Sequence, residues 1–374
     1  MASTEGSTTP LLRPTTLAEV RDAVLDTAGP LAVAGTGTAT GWAGTLRPVS
    51  AVLDTTAFSG VIAHNPGDMT VAVRAGTPLR ELNAELAGHH QEVALDAARV
   101  VAGATVGGLL STGDAGPGAL VHGSLRDLVI GVTLVLADGT VARSGGHVIK
   151  NVAGYDLAKL VHGAYGTVAV VAEVVLRLHP LAAATATLAL PVPLAEAAGP
   201  AARLLAGPHE PAALEWTSDD VLLVRLAGTK RALDARQERL ASVLGADARP
   251  VNSDGDDPWG RHAALTGGTP ELATLRIGVR PSRLPAVLAA LPAHAITAGL
   301  GTGVATVALP PDAIGDAHVA VHAAGGTSVL RSRPADAQVP AWGPAPSAIS
   351  VLRSVKTALD PHGRLGPGRF DPWM

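Results

Sequence analysis

The feature that most restricts the fold of this chain is a glycine-rich stretch from Val101 to Asp127, VAGATVGGLLSTGDAGPGALVHGSLRD. Its glycines and small residues are irregularly spaced, so the stretch fits neither the period of a helix nor that of a strand. We predict a long loop whose bare main chain approaches a ligand closely, because glycine adopts positive φ and carries no side chain. Successive N–H groups of such a loop bind phosphate without a basic residue. A surface loop that is glycine-rich by drift is an equally good interpretation of this stretch alone.

Composition sets the class of protein. With 374 residues, of which 47% are hydrophobic, the chain has material for about two or three domains. Its net charge of −4 and lack of basic runs argue against a nucleic-acid partner. The absence of cysteine excludes disulfides, thiolate metal sites, cysteine-ligated iron–sulfur clusters and a cysteine-linked cofactor. The start lacks a signal-peptide pattern and no apolar run is long enough to span a membrane, so we expect a cytoplasmic protein that reaches the inner face of the membrane only through partner subunits.

A second glycine-rich segment, Gly35 to Gly41, follows a predicted buried strand, Leu31 to Ala34. This order invites comparison with the dinucleotide-binding pattern G-x-G-x-x-G. Here the third glycine comes one residue late, and no amphipathic helix follows. The nicotinamide-type fold is therefore disfavoured.

Turn and cap signals in the first half predict paired strands with few helices between them. Thr16 begins a helix with a capping box, and Thr77 is predicted to cap a second helix. Turn residues at Asn65 to Asp68 and at Asp138-Gly139 predict two hairpins. Thr167 to Leu178 reads as a long strand. This order favours an α+β sheet over a doubly wound one.

Several short motifs occur in a fixed order along the chain. They are Gly35-Thr36-Gly37-Thr38, Ala104 to Gly108, Gly123 to Asp127, Val135 to Gly139, Lys150-Asn151 with Gly154 to Leu157, Gly166-Thr167 with Glu173, and Asp360 to Gly363. Through these motifs the chain resembles the vanillyl-alcohol-oxidase-type (PCMH-type) FAD-binding flavoproteins, and among them the GlcE-like FAD-binding subunit of glycolate oxidase. Their order and spacing together are more specific than any one motif.

The resemblance implies a two-part FAD-binding PCMH-type domain in residues 1–180, to which a C-terminal helix and tail, residues 346–374, return. It implies that the two glycine-rich segments hold the FAD pyrophosphate, that the Gly123 to Asp127 turn lies along the flavin, and that the main chain near Val171 meets the adenine. The residues expected to bind FAD are Ala34, Gly35, Thr36, Gly37, Thr38, Ala39, Gly103, Ala104, Thr105, Val106, Gly107, Gly108, Ser111, Thr112, Gly116, His122, Gly123, Arg126, Asp127, Gly166, Ala169 and Val171.

Three departures from the wider family limit what the resemblance implies. Many relatives tether the flavin through a histidine in the first glycine-rich segment, but Gly35 to Trp42 contains none, so we expect non-covalent FAD. The metal motif H-x-G-D-G-N of relatives that oxidise 2-hydroxy acids alone is missing, so we expect no metal. In the tail, Gly366 precedes Pro367-Gly368 where relatives have asparagine, which removes a side-chain amide near the cofactor.

Residues 181–345 are predicted to form a ferredoxin-like α+β cap over the flavin. Leu181 to Pro211 is interpreted as a connector containing at least one strand, and two β-α-β halves follow it. For four arginines of this region a solvated surface charge is a better interpretation than pairing with a substrate carboxylate. No histidine is predicted to act as a base. The four arginines are Arg276, Arg280, Arg331 and Arg333.

We therefore expect an α+β flavoprotein that acts as the FAD-binding subunit of a glycolate-oxidase-type complex. A related flavoprotein subunit and an iron–sulfur subunit are its expected partners, and acids such as glycolate or D-lactate are its expected substrates. Its own flavin would oxidise the acid or relay electrons. A self-sufficient flavin oxidase or dehydrogenase for another alcohol or hydroxy acid, and a non-catalytic subunit with structural FAD, are the alternatives.

Overall fold

The computed structural model of the chain describes residues 9–148, 154–251 and 257–374. Lys150 and Asn151, which contribute to the family resemblance, lie outside the described residues. The strands of the first 180 residues are β1 (Leu11–Leu12), β2 (Leu31–Ala34), β3 (Ala51–Asp54), β4 (Val61–Asn65), β5 (Thr70–Arg74), β6 (Gln91–Glu92), β7 (Val129–Val135), β8 (Val141–Gly145), β9 (Val170–Arg177) and β10 (His179–Pro180). The helices are α1 (Leu17–Asp26), α2 (Leu79–Leu86), α3 (Val106–Thr112), α4 (Ala119–His122), α5 (Leu125–Leu128) and α6 (Leu157–Val161).

Two sheets give this first part its two-part architecture. A parallel three-stranded sheet has the order β1-β3-β2, and an antiparallel five-stranded sheet has the order β4-β5-β9-β7-β8. Valine dominates β5, β7 and β9, and β-branched side chains suit a pleated, buried surface. The predicted hairpins β4–β5 and β7–β8 are confirmed, as is the α+β class.

Helices α2 and α3 cover the five-stranded sheet. Leu79, Leu82 and Leu86 of α2 are each only 1% exposed and pack in one core with Leu109 and Leu110 of α3. The spacing of Leu79, Leu82 and Leu86 places these three leucines on one face of α2. This core lies directly beneath the glycine-rich stretch and fixes the position of its main chain.

The prediction of one long loop from Val101 to Asp127 is wrong, because the stretch contains α3, α4 and α5. Thr105 caps α3 by accepting a hydrogen bond from the Gly108 amide at 3.1 Å. The two buried leucines of α3 provide the burial that stabilises this glycine-containing helix. Tertiary packing here overrides the poor helix propensity of glycine.

Thr77 does not cap α2, contrary to the prediction. The N-cap position belongs to Pro78, which makes no side-chain capping bond. The Thr77 hydroxyl instead donates to the Arg74 carbonyl at 2.7 Å and accepts from the Gly60 amide at 2.8 Å. Thr77 thereby closes the turn between β5 and α2 rather than the helix itself.

The cap consists of two β-α-β-β-α-β units joined side by side. Its strands are β11 (Ala184–Pro191), β12 (Ala213–Thr217), β13 (Val221–Gly228), β14 (Arg249–Pro250), β15 (Ala273–Gly278), β16 (Ala295–Gly299), β17 (Val304–Leu309) and β18 (Thr327–Ser332). Its helices are α7 (Leu194–Ala206), α8 (Lys230–Leu244), α9 (Pro258–Ala264), α10 (Leu284–Ala289) and α11 (Ile314–Ala323). The eight strands form one sheet of order β14-β11-β13-β12-β16-β17-β15-β18, in which β12 and β16 join the units. The ferredoxin-like prediction is confirmed, and the unit occurs twice.

The eight-stranded sheet has one apolar and one polar face, because successive side chains of a strand point to opposite sides. Leu214 and Trp216 of β12 and Leu275 of β15 belong to the helix-covered core. The residues between and beside them, Glu215 and Arg276, line a cavity on the opposite face. That face is turned toward the FAD-binding part, since Arg276 donates to the Gly113 carbonyl at 3.1 Å.

Two predictions for the ends of the cap need correction. Leu181 to Pro211 is more than a connector, because it contains the helix α7 besides β11. Pro200 lies inside α7 and hid its periodicity. The spacing of Ile349, Leu352, Val355 and Leu359 predicts a final helix from Ser347 to Leu359, but α12 (Ile349–Leu359) begins two residues later, and none of its residues is fully buried.

The C-terminal tail does return to the FAD-binding part. The Arg364 guanidinium donates to four carbonyl oxygens, those of Val24 at 2.8 Å, Thr27, Gly29 at 3.3 Å and Ala137 at 2.9 Å. Val24 and Thr27 lie at the C-terminal end of α1, where the helix dipole favours a positive charge.

Replacing Arg364 by alanine should destabilise this part of the protein. Several carbonyl groups would lose a charged donor, which we expect to lower the free energy of unfolding by about 2 kcal/mol. Denaturant titration followed by circular dichroism measures the change. The control is Arg21→Ala, which removes an exposed pair with Asp22 and should change stability by less than about 0.5 kcal/mol. Equal stability of the two variants would contradict the assigned role of Arg364.

Candidate cofactor site and adjoining cavity

The two glycine-rich segments lie against each other. The Thr36 hydroxyl donates to the Gly103 carbonyl at 2.9 Å. Gly35 packs so closely on the Thr105 hydroxyl that a Cβ added there would overlap it. Gly107 likewise lies against Ala75, whose Cβ would be 2.8 Å from a Cβ at residue 107. The bare glycines and the short side chains of Thr36 and Thr105 thus let the two segments approach closely.

A cavity of ≈ 110 Å³ opens between these segments. Most of its wall is formed by residues predicted to bind FAD. On the opposite side lie Ala169, which directly precedes β9, and Val171, the second residue of that strand. The predicted residues that line the cavity are Ala34, Gly35, Thr36, Gly37, Thr38, Ala39, Thr105, Gly107, Gly108, Ser111, Thr112, Gly166, Ala169 and Val171.

The other predicted residues lie elsewhere. Gly103, Ala104 and Val106 adjoin the lining residues in the chain without lining the cavity themselves, and Gly116 lines a second cavity. The remaining four lie on the α4–α5 segment and line neither cavity. In that segment the His122 ring meets the His179 ring at 4.4 Å, and Asp127 completes the capping box of α5. The four are His122, Gly123, Arg126 and Asp127.

Two arginines that sequence reasoning missed also line the cavity. Arg99 precedes the glycine-rich stretch, and Arg369 comes from the tail. Arg99 donates to the hydroxyls of Thr38 at 2.9 Å and Thr112 at 2.7 Å. The residues of the two glycine-rich segments that line the cavity include no basic side chain, but guanidinium groups reach the cavity from outside these segments. Arg99 lies only two residues before Val101, and this position next to the glycine-rich stretch could have marked it as a candidate phosphate-binding residue.

Arg99 belongs to a buried network that joins the FAD-binding part to the cap. The Asp114 carboxylate accepts from Arg99 at 2.9 Å and from Arg331 of β18 at 2.7 Å. Both guanidiniums contact the Trp42 ring, with Cζ 4.1 Å and 3.5 Å from its centroid. The three charged residues are no more than 7% exposed. Burial alone would raise the pKa of Asp114, but the two arginines outweigh burial and lower it.

The prediction of solvated surface charges is wrong for Arg331 and Arg276. Arg331 is 3% exposed and its buried Nε has no hydrogen-bond partner among the described residues. Burial, followed by the charge of Arg331, lowers the pKa of Arg276 to about 10, so this side chain stays protonated at neutral pH. Arg280 is exposed, as predicted, and Arg333 is partly buried with a 2.6 Å bond to the Ala43 carbonyl.

A second cavity, which we call the interdomain cavity, has a volume of ≈ 120 Å³ and lies between the polar face of the cap sheet and the segment from Asp114 to Ala119. Arg276 and Arg331 form part of its wall. His262 of α9 also lines it and shares a 3.0 Å hydrogen bond with Glu215. Burial raises the pKa of Glu215, and the bond to His262 acts in the opposite direction.

Within the described residues no cluster of three or more histidine, cysteine, aspartate or glutamate side chains is arranged to hold a metal ion. In the same part of the chain, no helix combines the length and the apolar character needed to cross a membrane.

Comparison with known proteins defines the class. Residues 9–145 match the family of FAD binding domains, and the fold and the cavity described above agree with a domain of the PCMH type. The cavity fits such a cofactor, because glycines allow close approach to a large ligand and two arginines meet its negative charge. FAD is therefore the cofactor of this domain.

Individual relatives narrow the class. The chain is 33% identical over 195 residues to glycolate oxidase subunit GlcE of Escherichia coli (strain K12), which is 52% of this chain and 55% of that protein. It is 39% identical over 121 residues to glycolate oxidase subunit GlcD of Bacillus subtilis (strain 168), covering 32% of this chain and 26% of that protein. It is 42% identical over 93 residues to D-lactate dehydrogenase of Archaeoglobus fulgidus, covering 25% and 21%. The chain spans about half the length of GlcE and less of the others.

The fold is also that of a solved structure. Alkyldihydroxyacetonephosphate synthase superposes with a TM-score of 0.67 at 16% identity, over 96% of this chain and 75% of that one. At this identity the likeness supports the fold alone.

Replacing Gly35 by alanine should weaken FAD binding about tenfold. The new Cβ would displace Thr105, which caps α3 and forms part of the cavity wall. A loss of about 1.4 kcal/mol in binding free energy corresponds to the tenfold weaker FAD binding. The ratio of flavin to protein absorbance after gel filtration and the dissociation constant of FAD measure it. Gly41→Ala is the matched control, since nothing lies within 4 Å of a Cβ there. Unchanged FAD affinity in the first variant would refute the close approach.

Replacing Asp114 by asparagine should destabilise the protein by about 3–5 kcal/mol at neutral pH, because Arg99 and Arg331 would lose their buried counter-charge. The lowered pKa of Asp114 means that its contribution is present above its unfolded pKa and lost as the pH falls through its folded pKa. The gap between wild type and variant should therefore narrow in acid. Denaturation midpoints measured from neutral to acidic pH test this, and a constant gap would contradict it.

Proposed function

We propose that this chain is an FAD-dependent oxidoreductase that oxidises the CH–OH group of a small 2-hydroxy acid, as the FAD-binding subunit of a glycolate-oxidase-type complex. The joined glycine-rich segments, with their cavity and flanking arginines, are the observation that carries the proposal. The names of the relatives support it, since they include glycolate oxidase subunits and a D-lactate dehydrogenase.

The residues of the cavity take complementary roles in this proposal. The main chain of Gly35 to Thr40 and of the first turn of α3 holds the FAD diphosphate, while Arg99 and Arg369 neutralise its charge. The main chain at Ala169 and Val171 meets the adenine. Bound FAD supplies an acceptor for two electrons. Burial of the Arg99–Asp114–Arg331 network excludes water from the end of the cavity nearest the cap.

The partners in the proposal follow from the relatives and from composition. Two of the relatives are named as subunits of glycolate oxidase. Since the chain contains no cysteine, a cysteine-ligated iron–sulfur cluster would lie on another subunit. We propose a related flavoprotein subunit and an iron–sulfur subunit as partners.

Anaerobic mixing tests the proposed function. The FAD-loaded chain should lose its visible flavin absorbance when mixed with glycolate or D-lactate, either alone or once its partner subunits are added. 3-Hydroxypropionate is the matched control, because it carries the same carboxylate but has its hydroxyl on the next carbon. Reduction by the chain alone would identify a self-sufficient enzyme. A flavin that neither acid reduces in any assembly would overturn the proposal, and so would a protein that takes up no FAD.

A further inference from the structure

Tyr165 is the one aromatic side chain that lines the FAD cavity, among the residues that the structure describes. It lies in the turn between α6 and β9, next to Gly166 in the same wall. Its φ of 52° falls in the left-handed region, which residues other than glycine rarely adopt. A bulky residue is therefore kept where glycine would fit without strain. Strained backbone of this kind is typical of functional sites.

Contacts with two parts of the chain hold Tyr165 in this conformation. Its amide donates to the Ser111 carbonyl of α3 at 2.7 Å. The rings of Trp342 and Phe370 meet its ring edge-on, with centroids 5.8 Å and 5.9 Å away. Edge-to-face contacts favour a particular orientation of the rings. The Tyr165 ring is therefore preorganised at the cavity wall.

The Tyr165 hydroxyl has no hydrogen-bond partner among the described residues. Burial raises the pKa of this phenol, although the charges of Arg331 and Arg276 oppose the rise. The group therefore stays protonated at neutral pH, where it can donate a hydrogen bond. A donor that is held away from solvent without an acceptor costs free energy. A ligand that supplies an acceptor would remove this cost.

The charges around the phenol place its hydroxyl at the end of the FAD cavity that faces the cap. The nearby charges include those of Arg331 and Arg276, which both come from strands of the cap sheet. Another part of the wall is formed by Ala169 and Val171, where we propose that the adenine lies. The diphosphate of FAD lies between its adenosine and riboflavin halves. The hydroxyl is therefore expected on the riboflavin side of the diphosphate.

We propose that Tyr165 binds and orients the cofactor by donating a hydrogen bond from its hydroxyl to the riboflavin half of FAD. The ribityl hydroxyls and the ring carbonyls of that half are the acceptors open to it. The strained turn and the edge-on rings hold the donor in place, so little freedom is lost when the bond forms. This inference depends on FAD as the cofactor and not on which alcohol or acid the flavin oxidises.

ADP separates this role from a general role of Tyr165 in packing. ADP carries the adenosine and the diphosphate of FAD but lacks the riboflavin half. A residue that only supports the cavity wall would affect the binding of both ligands, because both need the glycine-rich segments. A donor to the riboflavin half affects the binding of FAD alone.

Calorimetry with the full chain, freed of its flavin, makes this comparison. Tyr165→Phe should bind FAD about fivefold more weakly than wild type and bind ADP with unchanged affinity, because one neutral hydrogen bond is lost. Phenylalanine keeps the ring and its contacts with Trp342 and Phe370. Tyr155→Phe is the matched control, since Tyr155 is the other tyrosine of the chain and is 89% exposed. The control should bind both ligands as wild type does.

The stability of the ligand-free proteins completes the test. Wild type and Tyr165→Phe should unfold at the same denaturant concentration, because the ring contacts are retained. Equal FAD affinity in wild type and Tyr165→Phe would overturn the proposal, and so would an equal loss of affinity for FAD and ADP. A flavin that no 2-hydroxy acid reduces would overturn the proposed function and leave the role of Tyr165 intact.

Discussion

One buried carboxylate holds the two halves of the molecule in register. Asp114 leaves the end of α3 in the FAD-binding part and accepts hydrogen bonds from Arg99 of the same part and from Arg331 of the cap. Trp42 packs against both guanidiniums and shields them from water. Separating these charges would leave them buried without partners, which is costly, so the pairing opposes displacement of the cap. The position of the cap sheet relative to the glycine-rich main chain follows from this pairing.

Four aromatic residues, Tyr165, Trp342, Phe370 and Trp373, cluster where the tail meets the cap. The Trp342 ring stacks on the Phe370 ring with 4.8 Å between their centroids, and the Trp373 ring is also 4.8 Å from the Trp342 ring. Tyr165, which lines the FAD cavity, contacts both Trp342 and Phe370 edge-on. Only 2% of the chain is aromatic, so a cluster of four aromatic side chains is unusual for this sequence. Contacts between their rings stabilise the packing of the tail on the cap. Through Tyr165, the cluster supports the wall of the cofactor cavity from the side of the tail.

Local sequence patterns predicted much of the fold. The features that depend on contacts between distant residues were not predicted. The helix Lys230–Leu244 and its inward leucines follow from periodicity alone. The glycines around α3 predict a loop, so the helix was missed. Its stability comes from the burial of Leu109 and Leu110 against distant parts of the chain, which the local sequence does not indicate. Arg331 was taken for a surface charge because nothing local indicates that Asp114 lies opposite it. The site was predictable where main-chain conformation defines it, and unpredictable where distant side chains complete it.

The tail contacts have a consequence for biosynthesis. Lys356 and Arg364 donate to carbonyls of residues laid down much earlier, among them Thr167 and Val24, and Leu31 bridges to Leu365 beside β2. The parallel sheet and α1 therefore lack part of their hydrogen bonding until the ribosome has also delivered the whole cap. We expect the N-terminal segment of the nascent chain to remain incompletely folded, and FAD to bind, only after the segment that follows the cap has been synthesised. The cap, with contiguous sequence and its own core, is free to fold first.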